Sequence, residues 1–108
     1  MSMFSRIACV LLTLAFSLFT TYSVAGSQRF DQPTVEHGKM DRGLPLDWCL
    51  TWGKNCGKSA ADYFCRKKGY QSAGRFAKSE DIGMSKLLRT GQVCNDPACD
   101  GFTFIVCD

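Results

Sequence analysis

Histidine is nearly absent from this 108-residue sequence: the single one is His37. Imidazole is the usual general base near neutral pH, so no serine or cysteine nucleophile has a suitable neighbour. His37 itself lies in a stretch poor in apolar residues, without the rigid support that catalysis needs. It reads as an ordinary solvated residue, and no catalytic residue is assigned. Absent too is any Cys-x-x-Cys pair, which excludes a thioredoxin-like redox site. Beyond residue 19 no long hydrophobic run remains, whereas a membrane-spanning helix needs about 20 apolar residues. The formal charge is only +3, and no zinc-finger, helix-turn-helix or single-strand-binding pattern occurs. That balance lacks the electrostatic footprint of a nucleic-acid-binding protein. Internal repeats and coiled-coil patterning are missing as well, which leaves a single small domain.

What is present begins with a targeting signal. Met1 to Arg6 carries one positive charge, Ile7 to Phe19 is almost wholly apolar, and Ser23-Val24-Ala25 supplies small residues at the positions a signal peptidase reads. Residues 1–25 are therefore expected to be a cleaved signal peptide, with no transmembrane segment left after cleavage. No cysteine follows the cut, so a lipoprotein signal is excluded. The protein is expected to be secreted or extracytoplasmic. Cleavage removes Arg6, one of the 13 basic residues, and none of the 10 acidic ones, so the net charge becomes +2. Cys9 leaves with the signal.

Six of the 7 cysteines remain: Cys49, Cys56, Cys65, Cys94, Cys99 and Cys107. An even number in a short exported chain reads as three disulfides, whose pairing the sequence leaves open. Chains this short bury little apolar surface, so such bridges are part of their stability. A four-thiolate zinc site from Cys49, Cys56, Cys94 and Cys99 is the competing arrangement. Its Cys-x6-Cys and Cys-x4-Cys spacings are looser than is usual on at least one side, and an oxidising compartment favours bridges. Asp96, Asp100 and Asp108 do not follow the calcium-loop pattern. No metal and no cofactor is expected.

Along the chain, residues 26–43 have only Phe30, Val35 and Met40 as bulky apolar groups and are expected to form a flexible N-terminal arm. Residues 44–108 make the disulfide-stapled domain. Ser59-Ala-Ala-Asp62 matches a capping box, followed by a helix of about ten residues with Phe64 and Cys65 on its inner face. Arg66 to Lys68 suit its C-terminal end, and Gly69 can terminate it, with Tyr70 making the contact that accompanies a glycine cap. Asn95-Asp96-Pro97 is a turn signal. Phe102 to Cys107 reads as a terminal strand, Phe102, Phe104 and Val106 on one face and Thr103, Ile105 and Cys107 on the other. Both faces are apolar, so the strand is expected to lie centrally, its cysteines fixing its register. The fold class is α+β: a small disulfide-rich domain, one short helix packed on a small antiparallel sheet.

Candidate chemistry is sparse. Asp47, Asp62, Glu80 and Asp81 are the carboxylates from which a glycosidase-like pair would have to come. Trp48 and Trp52 flank Cys49, and Lys54, Asn55 and Lys58 follow. A rigid indole beside a disulfide loop offers flat contact area, with amide and ammonium donors nearby. The ligand-binding candidates are Trp52, Lys54, Asn55 and Lys58, and at least one tryptophan is expected to fill the core instead. Lys54, Lys58, Arg66, Lys67 and Lys68 would form one basic patch if the loop folded back to the helix end.

The stretches Trp52-Gly-Lys-Asn-Cys-Gly-Lys-Ser-Ala-Ala-Asp-Tyr-Phe-Cys-Arg-Lys-Lys-Gly-Tyr70 and Gly91-Gln-Val-Cys-Asn-Asp-Pro-Ala-Cys-Asp-Gly-Phe102, with the closing Ile105-Val-Cys, resemble a group of small exported cysteine-rich proteins of undefined activity. That resemblance implies one stapled domain and no catalytic residue. The order from Trp52 to Tyr70 is also similar to the first half of scavenger receptor cysteine-rich domains, which implies ligand binding. The expected function is noncatalytic binding or host defence, as a monomer recognising a glycan, cell-surface or protein ligand and no nucleic acid. The alternatives are a membrane-directed antimicrobial protein and a small secreted hydrolase using paired carboxylates.

Overall fold

The computed structural model describes residues 26–108, so the expected signal peptide, residues 1–25 with Cys9, lies outside the described residues. In chain order the elements are β1 (Gln28–Asp31), β2 (Thr34–His37), β3 (Met40–Pro45), β4 (Cys49–Thr51), β5 (Lys54–Cys56), α1 (Lys58–Lys67), β6 (Ala73–Ser79), β7 (Met84–Lys86), β8 (Val93–Asn95) and β9 (Gly101–Cys107). The strand expected at the C-terminus is the centre of the molecule. β9 pairs antiparallel with β1 on one edge and β6 on the other. Three antiparallel hairpins, β2–β3, β4–β5 and β7–β8, surround this sheet. The result is an α+β domain with one helix on small antiparallel sheets and three disulfides.

α1 is placed by its small and apolar residues. Ala60, Ala61, Phe64 and Cys65 are buried, which lets the helix approach the sheet closely over Ile105 and Cys107. Cys65 and Cys107 are bridged, with Cα atoms 5.3 Å apart across 42 residues of sequence. The helix ends as its sequence suggests. Gly69 takes φ 94, its N–H donates to Arg66 O at 3.1 Å, and the Tyr70 N–H donates to Cys65 O at 2.9 Å. Those two bonds are the paired closures of a glycine-terminated helix. Tyr70 then packs edge-on to Phe30, and its hydroxyl meets the Gln28 side chain.

Three expectations are corrected. Residues 26–43 are not an arm: Gln28 to Asp31 lie in register against Cys107 to Phe104, and β2 and β3 follow as a hairpin turned at Gly38. One aromatic suffices to seat this edge, because Phe30 opposes Ile105 and meets Phe64 edge-on at 5.2 Å. The stapled body thus starts at β1 and not at residue 44. Nor does Ser59 cap α1. The N-cap is Gly57 at φ 68, and no side chain caps the helix. Gly57 is held from outside the helix, its N–H donating to Trp48 O at 2.9 Å, and a Cβ there would stand 3.0 Å from the Trp48 ring. Asp62 instead receives the Ala73 N–H at 2.8 Å and pairs with Lys58 at 3.1 Å, joining the helix to the start of β6.

The third correction concerns the faces of β9. Phe104 pairs with Ala77 and Phe102 with Lys78, so Thr103 has no counterpart in β6. Such an extra residue advances the in-out alternation by one. Phe102 consequently joins Ile105 and Cys107 in the core, while Phe104 lies on the opposite face under the Arg29 guanidinium, 4.0 Å from its ring centre. Thr103 uses the irregularity, its hydroxyl donating to Lys78 O and its carbonyl accepting from the Gln32 N–H.

The bridges differ in what they constrain. Cys49–Cys56 and Cys94–Cys99 close segments with sequence separations of 7 and 5, against 42 for Cys65–Cys107. Loop-closure entropy gives the long bridge about 4 kcal/mol and each short one about 2 to 2.5 kcal/mol. Replacing Cys65 and Cys107 together by alanine is expected to cost more stability than replacing Cys49 and Cys56 together. Denaturant unfolding of the two double variants side by side checks the order, and equal losses would contradict the central place given to the long bridge.

Candidate functional site

β4 and β5 form the shortest kind of hairpin. Cys49 faces Cys56, Thr51 faces Lys54, and only Trp52 and Gly53 lie between them. Gly53 adopts φ 71, a left-handed conformation that costs glycine little. The turn carries Trp52 outward, leaving it 62% exposed, the most exposed large apolar side chain of the described residues. The cross-strand Cys49–Cys56 bridge closes the hairpin at its base.

That base is held from several sides. The Trp48 N–H donates to Asp100 O at 2.9 Å, and Asp47 bridges to Gly101 at the start of β9. The Asp47 carboxylate, almost buried, accepts from the Cys49 N–H at 2.8 Å and from the Ser85 hydroxyl. Its backbone N–H donates to Lys86 O at 2.9 Å. Asp47 therefore ties the hairpin to β7 and to β9 together. Trp48 packs inward on Phe102 at 4.7 Å and on Phe76 at 5.8 Å. The two tryptophans divide the expected roles, Trp48 as core filler and Trp52 as surface group.

Beside this hairpin is a hollow of about 160 Å³. Trp48, Cys49, Trp52 and Gly53 form one wall; Leu87 and the Cys94–Cys99 bridge form the other. Asp47 and Asp100 are its acidic lining residues. Asp100 is itself anchored, Oδ1 accepting the Asp81 N–H at 3.1 Å and Oδ2 lying 3.4 Å from Lys78 Nζ. Lys78 Nζ also sits 5.4 Å from the centre of the Trp48 ring.

Of the residues chosen from sequence, Trp52 borders this hollow. Lys54 and Asn55 are exposed on β5 beyond it, Asn55 with φ 55. Lys58 is turned to Asp62 and to Ala73 O, 3.4 Å away, at the junction of helix and sheet. The five basic residues do not make one patch. The hairpin leads directly into the start of α1, whereas Arg66 to Lys68 lie at its other end, roughly 15 Å along a ten-residue helix. Lys67 and Lys68 lie over the Tyr63 and Phe64 rings, each 5.5 Å from the ring centre.

Two of the carboxylates considered for a catalytic pair have structural partners. Asp62 holds the helix–sheet junction, Asp47 holds the hairpin base, and Glu80 is an exposed neighbour of Lys78. His37 is on β2 and half-buried, its Nδ1 3.4 Å from Lys86 Nζ. Cys49, Cys56, Cys94 and Cys99 are paired as disulfides and do not form a thiolate site. Among the described residues no group of three or more His, Cys, Asp and Glu could hold a metal ion, and no helix is long and apolar enough to cross a membrane.

Sequence reasoning missed Asp100 and Leu87 as lining groups. The available signal was adjacency, since Asp100 directly follows Cys99. No family model, curated protein or solved structure matches the chain.

The site separates display from support, and stability measurements read the difference. Trp52→Ala is expected to change unfolding free energy by less than about 0.5 kcal/mol, as for an ordinary surface position. Asp47→Ala leaves the buried Ser85 hydroxyl and the part-buried Cys49 N–H without their acceptor and is expected to cost about 2 to 4 kcal/mol. Denaturant unfolding of both variants checks the contrast.

Proposed function

We propose that this domain is an extracytoplasmic, noncatalytic binding module whose ligand docks on the Trp52 hairpin and the hollow beside it. The observation that carries this reading is an indole 62% exposed on a two-residue turn whose base is fixed by a disulfide and by Asp47. An exposed aromatic on a rigid support contributes contact area with little ordering cost on binding. Lys54 and Asn55, exposed on the adjoining strand beyond the hollow, offer further donors, while Lys58 at the start of α1 is engaged with Asp62. The ligand classes are glycan, cell-surface component and protein. The disulfides agree with a protein that works outside the reducing cytoplasm, after export by the expected signal peptide.

Two competing functions lack this kind of support. Membrane permeabilisation needs a cationic face beside an apolar one, and here the basic residues are divided between the two ends of α1. Hydrolysis by paired carboxylates needs both groups free to reach substrate across a cleft; Asp47 and Asp62 are each held by backbone donors, and Glu80 lies on the surface 3.8 Å from Lys78.

The test is a binding screen of glycans, bacterial surfaces and extracellular proteins with the oxidised protein. Trp52→Ala combined with Lys54→Ala is expected to reduce capture of any genuine ligand by at least about tenfold, a loss in the range of an interface anchor. Undiminished capture by a double variant that retains all three bridges would move the site away from this hairpin.

A further inference from the structure

The hollow beside Trp52 has an unusual polar inventory. Its lining residues include two tryptophans and two aspartates, and no lysine, arginine or histidine. Apart from indole N–H groups, these side chains can only accept hydrogen bonds. A carboxylate has about four lone-pair directions, and Asp100 has committed one oxygen to the Asp81 N–H and shares the other with Lys78. Acceptor capacity therefore remains.

A complementary ligand group is donor-only, positively charged and flat enough to lie on an indole. Sugar hydroxyls fit less closely, because each presents lone pairs as well as a proton, and the side chains here return few donors. Guanidinium meets all three conditions: five N–H donors, no acceptor, and a planar face that stacks on aromatic rings. Lysine ammonium meets the first two. The chain already shows this chemistry internally, since Lys78 Nζ lies 5.4 Å from the Trp48 ring centre and 3.4 Å from Asp100 Oδ2. An ammonium is thus held by Trp48 and Asp100, two residues that also line the hollow, from outside the lining itself.

We infer that the hollow between the Trp52 hairpin and the Cys94–Cys99 loop receives a basic side chain, arginine in preference to lysine, from a polypeptide partner. The inference rests on the binding function proposed above and names the chemistry of its ligand. Trp52 supplies the stacking face, Asp100 the carboxylate, and Lys78 is a resident competitor. Removing Lys78 frees Asp100 and lifts a like charge, so it strengthens binding; neutralising Asp100 weakens it.

The experiment follows the Trp52 indole N–H resonance of the oxidised protein during titration, with Trp52→Phe identifying the signal. The probes are N-acetyl-argininamide, its neutral isostere N-acetyl-citrullinamide, tetramethylammonium and a methyl glucoside. A saturable shift is expected with the arginine derivative, with binding at least about tenfold weaker for citrulline. Asp100→Asn is expected to weaken arginine binding to a similar extent, and Lys78→Gln to tighten it several-fold. Equal responses to arginine and citrulline, no response to arginine, or tighter binding of tetramethylammonium would each overturn the inference, the last pointing to a quaternary-ammonium surface. Weakening by Lys78→Gln would overturn it too. A shift with the glucoside alone would refute the basic ligand while leaving Trp52 as a contact residue. Capture that ignores Trp52 in the wider screen would remove the underlying function instead.

Discussion

The packing of α1 on β9, fastened by Cys65–Cys107, is the constraint on which the remaining structure depends. β9 supplies hydrogen bonds to both other strands of its sheet, and its Ile105 and Cys107 are fully buried beneath the helix. A ten-residue helix would not persist alone in water, and a three-stranded sheet without a covered face is scarcely more durable. Each becomes stable only by covering the other. The bridge lies at the contact between them, where it confines the unfolded chain most because it spans the longest stretch of sequence.

The functional surface is built outward from the opposite end of the same strand. Asp100 and Gly101, just before and at the start of β9, receive Trp48 and Asp47 respectively. Asp47 then fixes the turn of chain into β4, and the short disulfide closes the hairpin above it. Rigidity thus passes from the core to the Trp52 tip through named hydrogen bonds, without requiring the tip to be buried. The second short bridge, Cys94–Cys99, stiffens the facing wall, where the Asp96 carboxylate accepts the Ala98 N–H and shapes the turn. Both walls of the hollow are therefore fixed before any ligand arrives.

Local signals carried much of this fold. Gly69 and Tyr70 end the helix as their types require, the Asn95-Asp96-Pro97 turn forms, and the alternating run near the C-terminus is a central strand. Pairing signals were harder to read. Residues 28–31 contain one large apolar side chain, and what makes them a strand is the backbone edge of β9, some 75 residues away in sequence. The extra residue at Thr103 is similarly silent, because a bulge is defined by the partner strand. In the site, the two tryptophans were visible but not which of them is exposed, which the two-residue turn decides for Trp52. Asp100 emerged only when the fold set the Cys94–Cys99 loop against the hairpin. Capping-box spacing misled for a related reason, since tertiary bonds from Trp48 and Ala73 claimed Gly57 and Asp62 first.

The order of strands in the main sheet carries a consequence for biogenesis. Both neighbours of β9 precede it in sequence, and neither pairs with the other. A nascent chain emerging from its N-terminus holds β1 and β6 without the strand that unites them, so the sheet assembles only after β9 is free. With such distant partners, folding is governed by long-range search rather than by local zippering. Cys65, 42 residues before its partner Cys107, is likewise made before the cysteine it pairs with, and four other cysteines of the domain are made before Cys107 too.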